Sequence, residues 1–192
     1  MKAEVLIYIY GAVCISMIVF NIVYNLLLKG SEPRMQKRCR KMQSKMDKQL
    51  SVLQAGDNLE GGHLSYLRRS LCHVNNLMAF HRVFQENFRR NPKLYQEYLR
   101  QIRPAILYIA AVYRDKENMQ AGYFTYFLSC YAAERQMPID SLQDILLDYV
   151  KKPNLYCRFN AMKALYYFAG PESIAEAIKI QDDGCVFLHE KI

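Results

Sequence analysis

From Val5 to Leu28 the chain runs for 24 residues without a charged side chain, VLIYIYGAVCISMIVFNIVYNLLL. At about 1.5 Å per residue this makes roughly 36 Å of helix, enough to cross a hydrocarbon layer about 30 Å thick with some tilt. A secretory leader fits less well, because its apolar part covers about 7–15 residues and precedes a small-residue cleavage site. Here Lys29-Gly30-Ser31-Glu32-Pro33 follows instead. Residues 5–28 are therefore read as an uncleaved transmembrane helix, with a buried core helix as the alternative.

The flanks orient it. Only Lys2, offset by Glu4, precedes the span, while Lys29, Arg34, Lys37, Arg38, Arg40, Lys41, Lys45 and Lys48 follow it. Basic residues beside a span stay on the cytoplasmic side. The expectation is a single-pass protein of the inner (plasma) membrane with its N-terminus outside and everything after Leu28 in the cytoplasm. Tyr8, Tyr10 and Tyr24 lie toward the ends of the span, where amphipathic rings favour the interfaces. Asn21 and Asn25 are one helical turn apart, so their amides share a stripe. Either they contact another membrane helix or they lie shallow enough to be hydrated; on the first reading both are partner-binding residues.

Charge limits the choice of partners. There are 26 Lys+Arg against 18 Asp+Glu, a net +8, and the excess is unevenly spread. Residues 29–48 hold eight basic and two acidic side chains, residues 62–114 nine and two, and residues 115–192 eight and eleven. An anionic surface is the natural target of the first two segments.

Residues 29–61 read as a basic juxtamembrane helix and a linker. Pro33 suits a first turn, and Met35, Cys39, Met42, Met46, Leu50 and Leu53 recur at helical spacing among cations. The cations Arg34, Lys37, Arg38, Arg40, Lys41 and Lys45 suit the anionic inner leaflet, while the apolar stripe suits packing on the domain behind it. Gln54 to Gly62 breaks the pattern.

Residues 62–192 carry runs of helical apolar spacing and no convincing alternating strand. The helices are expected at 64–72, 75–90, 93–102, 104–114, 118–135, 140–151, 154–169 and 172–180. Asn75, Asn118, Asp140 and Asn154 are placed to cap helices, and Pro92, Pro104, Pro138 and Pro171 mark boundaries or first turns. Shifting the chain by 36 residues lays Tyr113-Arg-Asp-Lys-Glu-Asn118 over Tyr149-Val-Lys-Lys-Pro-Asn154, matching Tyr, Lys and Asn. A two-helix unit of that period indicates a solenoid.

The stretch Tyr156-Cys-Arg-Phe-Asn-Ala-Met-Lys-Ala-Leu165, followed by Gly170-Pro171-Glu-Ser-Ile-Ala-Glu-Ala-Ile178 and Asp182-Asp183-Gly184, resembles the HEAT repeat. The resemblance covers about residues 104–192 well and 62–103 loosely, and the whole layout resembles short bacterial HEAT-repeat membrane proteins. It implies an all-α fold in which the transmembrane helix precedes a right-handed α-solenoid of HEAT-like helix pairs. It also implies an inner face formed by the second helices, 118–135 and 154–169. There Tyr123, Tyr126, Arg158 and Lys163 would form an aromatic–basic groove for a protein partner. The family's recurrent basic position falls on Arg158 and often serves contacts between repeats. Val186, Phe187, Leu188 and Ile192 leave an apolar ending, which a partner covers or which marks a shortened array.

Catalytic chemistry finds no foothold. The six cysteines form no C-x-x-C pair, the four histidines lack metal-ligand spacing, and no phosphate loop or nucleophile elbow occurs. The expectation is a non-enzymatic protein with no catalytic residues, metal, cofactor or small-molecule substrate: a membrane-anchored cytoplasmic scaffold whose partner is a protein of a membrane-associated complex. The competing reading is a membrane-tethered nucleic-acid binder using Arg68, Arg69, Arg82, Arg89, Arg90, Lys93, Arg100 and Arg103, provided these share one side.

Overall fold

A computed structural model describes residues 2–132, 142–168 and 171–184. It is all-helical, with eight α-helices and no strand among the described residues: α1 (Lys2–Gln54), α2 (Gly61–Leu71), α3 (Val74–Phe88), α4 (Pro92–Arg114), α5 (Asn118–Ala132), α6 (Leu142–Val150), α7 (Leu155–Phe168) and α8 (Pro171–Asp183). The helix expected at 140–151 is seen from Leu142 onward, and the apolar ending at 186–192 lies outside the described residues.

α1 is one uninterrupted helix of 53 residues that contains Pro33. Pro33 is exposed, and the hydrogen bond a proline forgoes costs least on the outward side of a helix. The same explains α4. A break was expected at Pro104, but α4 runs through it, because Pro104 and Arg100 both face outward and the freed carbonyl finds water. The ends of the other helices follow local chemistry. Gly56 at φ +89° takes the left-handed geometry that terminates α1. The side chain of Asn91 accepts from Leu94 N at 3.4 Å, with Pro92 at the first position of α4. Asn154 accepts from Cys157 N at 3.0 Å at the start of α7. Asn75 lies inside α3, whose N-cap is His73, and Asp140 lies outside the described residues.

Packing alternates. α2, α4, α6 and α8 lie side by side in one layer, and α1, α3, α5 and α7 in the other, with contacts across the layers in the pairs α1–α4, α2–α3, α3–α4, α4–α5, α6–α7 and α7–α8. Within a layer the helices run parallel. Phe80 meets Phe127 and Phe84 meets Tyr131 (ring centroids 6.0 and 4.8 Å), so α3 and α5 advance together. Tyr126 meets Tyr156 and Ser129 bonds Asn160, so α5 and α7 do likewise. Gln36, Cys39 and Gln43 lie beside Arg82, Val83 and Glu86, and Asp47 and Leu50 lie beside Asn87 and Arg90, so α1 advances with α3. The N-terminal ends of α3, α5 and α7 therefore share the end of the body from which the first half of α1 projects. The intervening α2, α4 and α6 end there.

The core is continuous from Met42, Met46 and Leu50 of α1 to Ala177 of α8. The basic helix is thus built into the body. Tyr98, Tyr113, Tyr149, Phe80, Phe84, Phe124 and Phe127 are fully buried, each such ring contributing about 1.5–3 kcal/mol by leaving water. Two of these tyrosines do the same task. Tyr113 of α4 donates its hydroxyl to Leu71 O of α2 at 3.0 Å, and Tyr149 of α6 donates to Ala110 O of α4 at 2.7 Å. They are the pair that the 36-residue shift superposes. At the α5–α7 contact the side chains are small: Ala121, Gly122, Thr125 and Ser129 face Cys157, Asn160, Ala161 and Ala164, all buried or half-buried. A Cβ on Gly122 would stand 3.3 Å from the Tyr156 ring, so the glycine lets the helices approach.

The turn between α1 and α2 is pinned. Gln49 Nε2 donates to Glu60 Oε2 at 3.0 Å while Glu60 N donates to Gln49 Oε1 at 3.1 Å. Leu59 N donates to Gln101 Oε1 at 2.8 Å. What composition presents as a linker is a fixed corner.

Candidate functional site

The first half of α1 carries its apolar side chains outward. Residues Tyr8–Asn25 form a helix long and apolar enough to cross a membrane, with none of that stretch buried against the protein. Asn21 and Asn25 are exposed on it, and the Asn25 amide donates to Asn21 O at 2.9 Å. Part of its hydrogen-bonding need is thereby met within its own helix.

The second half reverses the pattern. Its apolar stripe faces the body, and Arg34, Lys37, Arg38, Arg40, Lys41 and Lys45 are exposed. They differ in distance from the span. Arg34 and Lys37 follow Leu28 by about 9 and 14 Å of helix, whereas Lys45 follows by about 25 Å. Lys45 lies instead 5.4 Å from the Tyr66 ring centroid. Arg38 is tied to the body, donating to Asn76 Oδ1 at 3.1 Å.

The basic residues of 68–103 do not gather on one side. Arg68 and Arg69 close α2 at the end where the span emerges, whereas Arg89, Arg90 and Lys93 lie at the other end, past the roughly 22 Å length of α3. Between them Arg82 pairs with Glu32 and Glu86 at 3.3 and 3.5 Å, and Arg100 binds Glu97 with both arms, at 2.8 and 2.6 Å.

The residues expected to line a groove on α5 and α7 have separate fates. Lys163 is exposed. Tyr126 is half-buried beside Tyr156. Tyr123 is half-buried and shares a 3.1 Å hydrogen bond with His81 Nδ1, so its hydroxyl is already engaged. Arg158 is 4% exposed. It donates to Lys152 O at 3.1 Å and Pro153 O at 2.8 Å, fastening the end of α6 to α7. The guanidinium expected to line the groove is thus turned inward onto backbone carbonyls. Other residues take its place: Tyr156, Phe159, Tyr166 and Tyr167 of α7 are exposed, at 52, 39, 66 and 38%. Together with Lys163 they recur at three-, four- and seven-residue spacings, which places them on one side of the helix. That spacing was readable in the sequence, but an apolar stripe reads as core until its neighbours are known.

Two histidines were not legible as special. His81 is buried among the rings of Tyr123, Tyr126, Phe127 and Tyr131, at centroid distances of 5.5 to 6.1 Å. Burial pushes its pKa down to about 4, and its Nε2 is buried without a hydrogen-bond partner among the described residues. His63 lies 2.7 Å from the Tyr98 hydroxyl, and burial likewise brings it to about 4, with Glu60 acting in the opposite direction. Both are neutral, structural imidazoles.

Burial raises the thiols of Cys157, Cys72 and Cys39. Among the described residues no three His, Cys, Asp or Glu side chains form a set that would hold a metal ion. The chain matches no protein-family model, no curated protein and no solved structure.

Proposed function

We propose that the protein is a single-pass membrane scaffold: α1 crosses the inner membrane with its N-terminus outside, and a cytoplasmic helical body binds another membrane-associated protein. The body is read as a short, right-handed α-solenoid of HEAT-like pairs. The two-layer alternation of its helices and the shared role of Tyr113 and Tyr149 support that reading. The observation that carries the binding role is the exposed stripe of Tyr156, Phe159, Lys163 and Tyr166 on α7, continued onto α5 by Tyr126. Rigid aromatic side chains with one cation among them supply the anchors on which protein interfaces most depend. The separation of the arginines to opposite ends, and the pairing of Arg82 and Arg100 with carboxylates, argue against a nucleic-acid groove.

The test is photo-crosslinking from positions 159 and 166 in intact cells, followed by extraction in mild detergent. Discrete adducts with one membrane protein are expected, and Tyr156→Ala with Tyr166→Ala should remove them while the chain stays in the membrane. A featureless smear, or adducts indifferent to those substitutions, overturns the scaffold reading.

A further inference from the structure

We infer that the body stands end-on against the same anionic leaflet that its anchor crosses, touching it through the α2–α3, α4–α5 and α6–α7 turns. This rests on α1 spanning the bilayer, and it adds a second, peripheral contact to the membrane part of that reading.

The argument is one of register. Layer helices α1, α3, α5 and α7 run parallel, so the three turns named above lie at the end from which the span departs. α3 begins close to that departure: Arg38 bonds Asn76, the third residue of α3, and Glu32 pairs with Arg82. Only about 6 Å of helix separates Leu28 from Glu32, and the polar layer on each side of a bilayer is itself about 5–8 Å thick. A body held at that height brings the His73 turn into the headgroup region.

The chemistry of this end fits the surface it meets. Arg68, Arg69 and Lys151 are exposed and Lys116 and Lys152 half-exposed in these turns. Asp115 and Glu117 also lie there, as do Asp182 and Asp183 at the end of α8 and Asp148, which Arg114 and Lys151 hold between them at 3.4 and 3.5 Å. Arg68, Arg69, Lys116 and Lys152 pair with no carboxylate in any described ion pair and add to the cations of residues 29–41. On the same end stands Met119, the second residue of α5 and 79% exposed, the most exposed large apolar side chain among the described residues of the body. An exposed apolar tip on an end with an excess of cations is the composition that inserts shallowly into an anionic interface. The opposite end carries Asp57, Glu60, Glu172 and Glu176 beside Arg89, Arg90 and Lys93.

The chain contains no tryptophan, so single tryptophans report position without background. Full-length protein is reconstituted in phosphatidylserine-containing vesicles doped with lipid brominated on its acyl chains. Three variants are compared: F20W in the span, M119W at the near end and K93W at the far end. F20W is expected to be quenched strongly, M119W to lose at least half its emission, and K93W to lose none. Charge reversal (R68E, R69E, K151E and K152E together) or omission of phosphatidylserine should restore M119W emission and leave F20W quenched. M119W behaving like K93W while F20W is quenched overturns the end-on contact alone. M119W shielded from aqueous iodide yet unquenched by bromolipid places a protein there and overturns it too. F20W unquenched removes the anchor itself, and this inference with it.

Discussion

The two halves of α1 share one helix and oppose each other in almost everything else. Between Tyr8 and Tyr24 the large apolar side chains point away from any protein contact; between Cys39 and Leu53 they point into it, with Met46 fully covered. The first half has no charge from Val5 to Leu28, while the second is crowded with lysine and arginine. Helix propensity does not distinguish them. What distinguishes them is what covers the apolar side chains: the protein body in the second half and, on the proposed reading, lipid in the first.

Matched substitutions break this contrast most directly. Met46→Asp buries an unpaired carboxylate and should cost about 4 kcal/mol or more, unfolding the body, with the chain still in the membrane fraction. Met17→Asp, near the middle of the span, should raise the cost of insertion by about 2.5–3.5 kcal/mol and leave the urea midpoint of the body unchanged. If Met17→Asp melts the body, or Met46→Asp releases the chain from membranes, the halves are not independent.

Acid sharpens the same contrast. His63 and His81 have folded pKa values of about 4 against 6.5 for a free imidazole, so the unfolded chain takes up protons first as the pH falls. Their contribution is complete above about pH 6.5 and is lost on the way down to about pH 4, by about 1–2 kcal/mol per histidine at pH 5 once residual solvent access is allowed for. The span has no acidic or histidine side chain. Co-sedimentation with membranes in high salt should therefore be as strong at pH 5 as at pH 7.5, while the urea midpoint of the body falls. The double variant His63→Phe, His81→Phe should flatten that pH profile.

Smaller effects bear on the body alone. Tyr113→Phe and Tyr149→Phe each remove a buried hydroxyl donor to the preceding layer helix and should each cost about 1–2 kcal/mol; a large inequality between them would deny that they are repeats of one device. Arg100→Ala should leave the melting midpoint where it is, because its ion pair with Glu97 lies on the surface.

The sequence was most informative where a pattern is periodic. The stripe from Met35 to Leu53 and the Tyr113–Tyr149 correspondence emerge from spacing alone, because period is what a helix face and a repeat impose on a chain. Proline was misleading at position 104, where exposure decides whether a lost hydrogen bond matters. The arginines of 68–103 look like a cluster in one dimension, and only the antiparallel turn between α2 and α3 sends them to opposite ends. Arg158, expected to line the groove although its position often serves contacts between repeats, is drawn inward by two carbonyls at the end of α6. The neutral state of His81 depends on four rings from α5, about forty to fifty residues away in the chain.

The uninterrupted passage of α1 from span to core has a consequence for reach. A flexible leash would let the body sample a hemisphere whose radius grows with the leash; with α1 crossing the bilayer as proposed there is no slack, and the α7 stripe would stay within a thin slab beside it. Partners that share that slab meet it at high effective concentration, and soluble ones must come to the surface to be met at all.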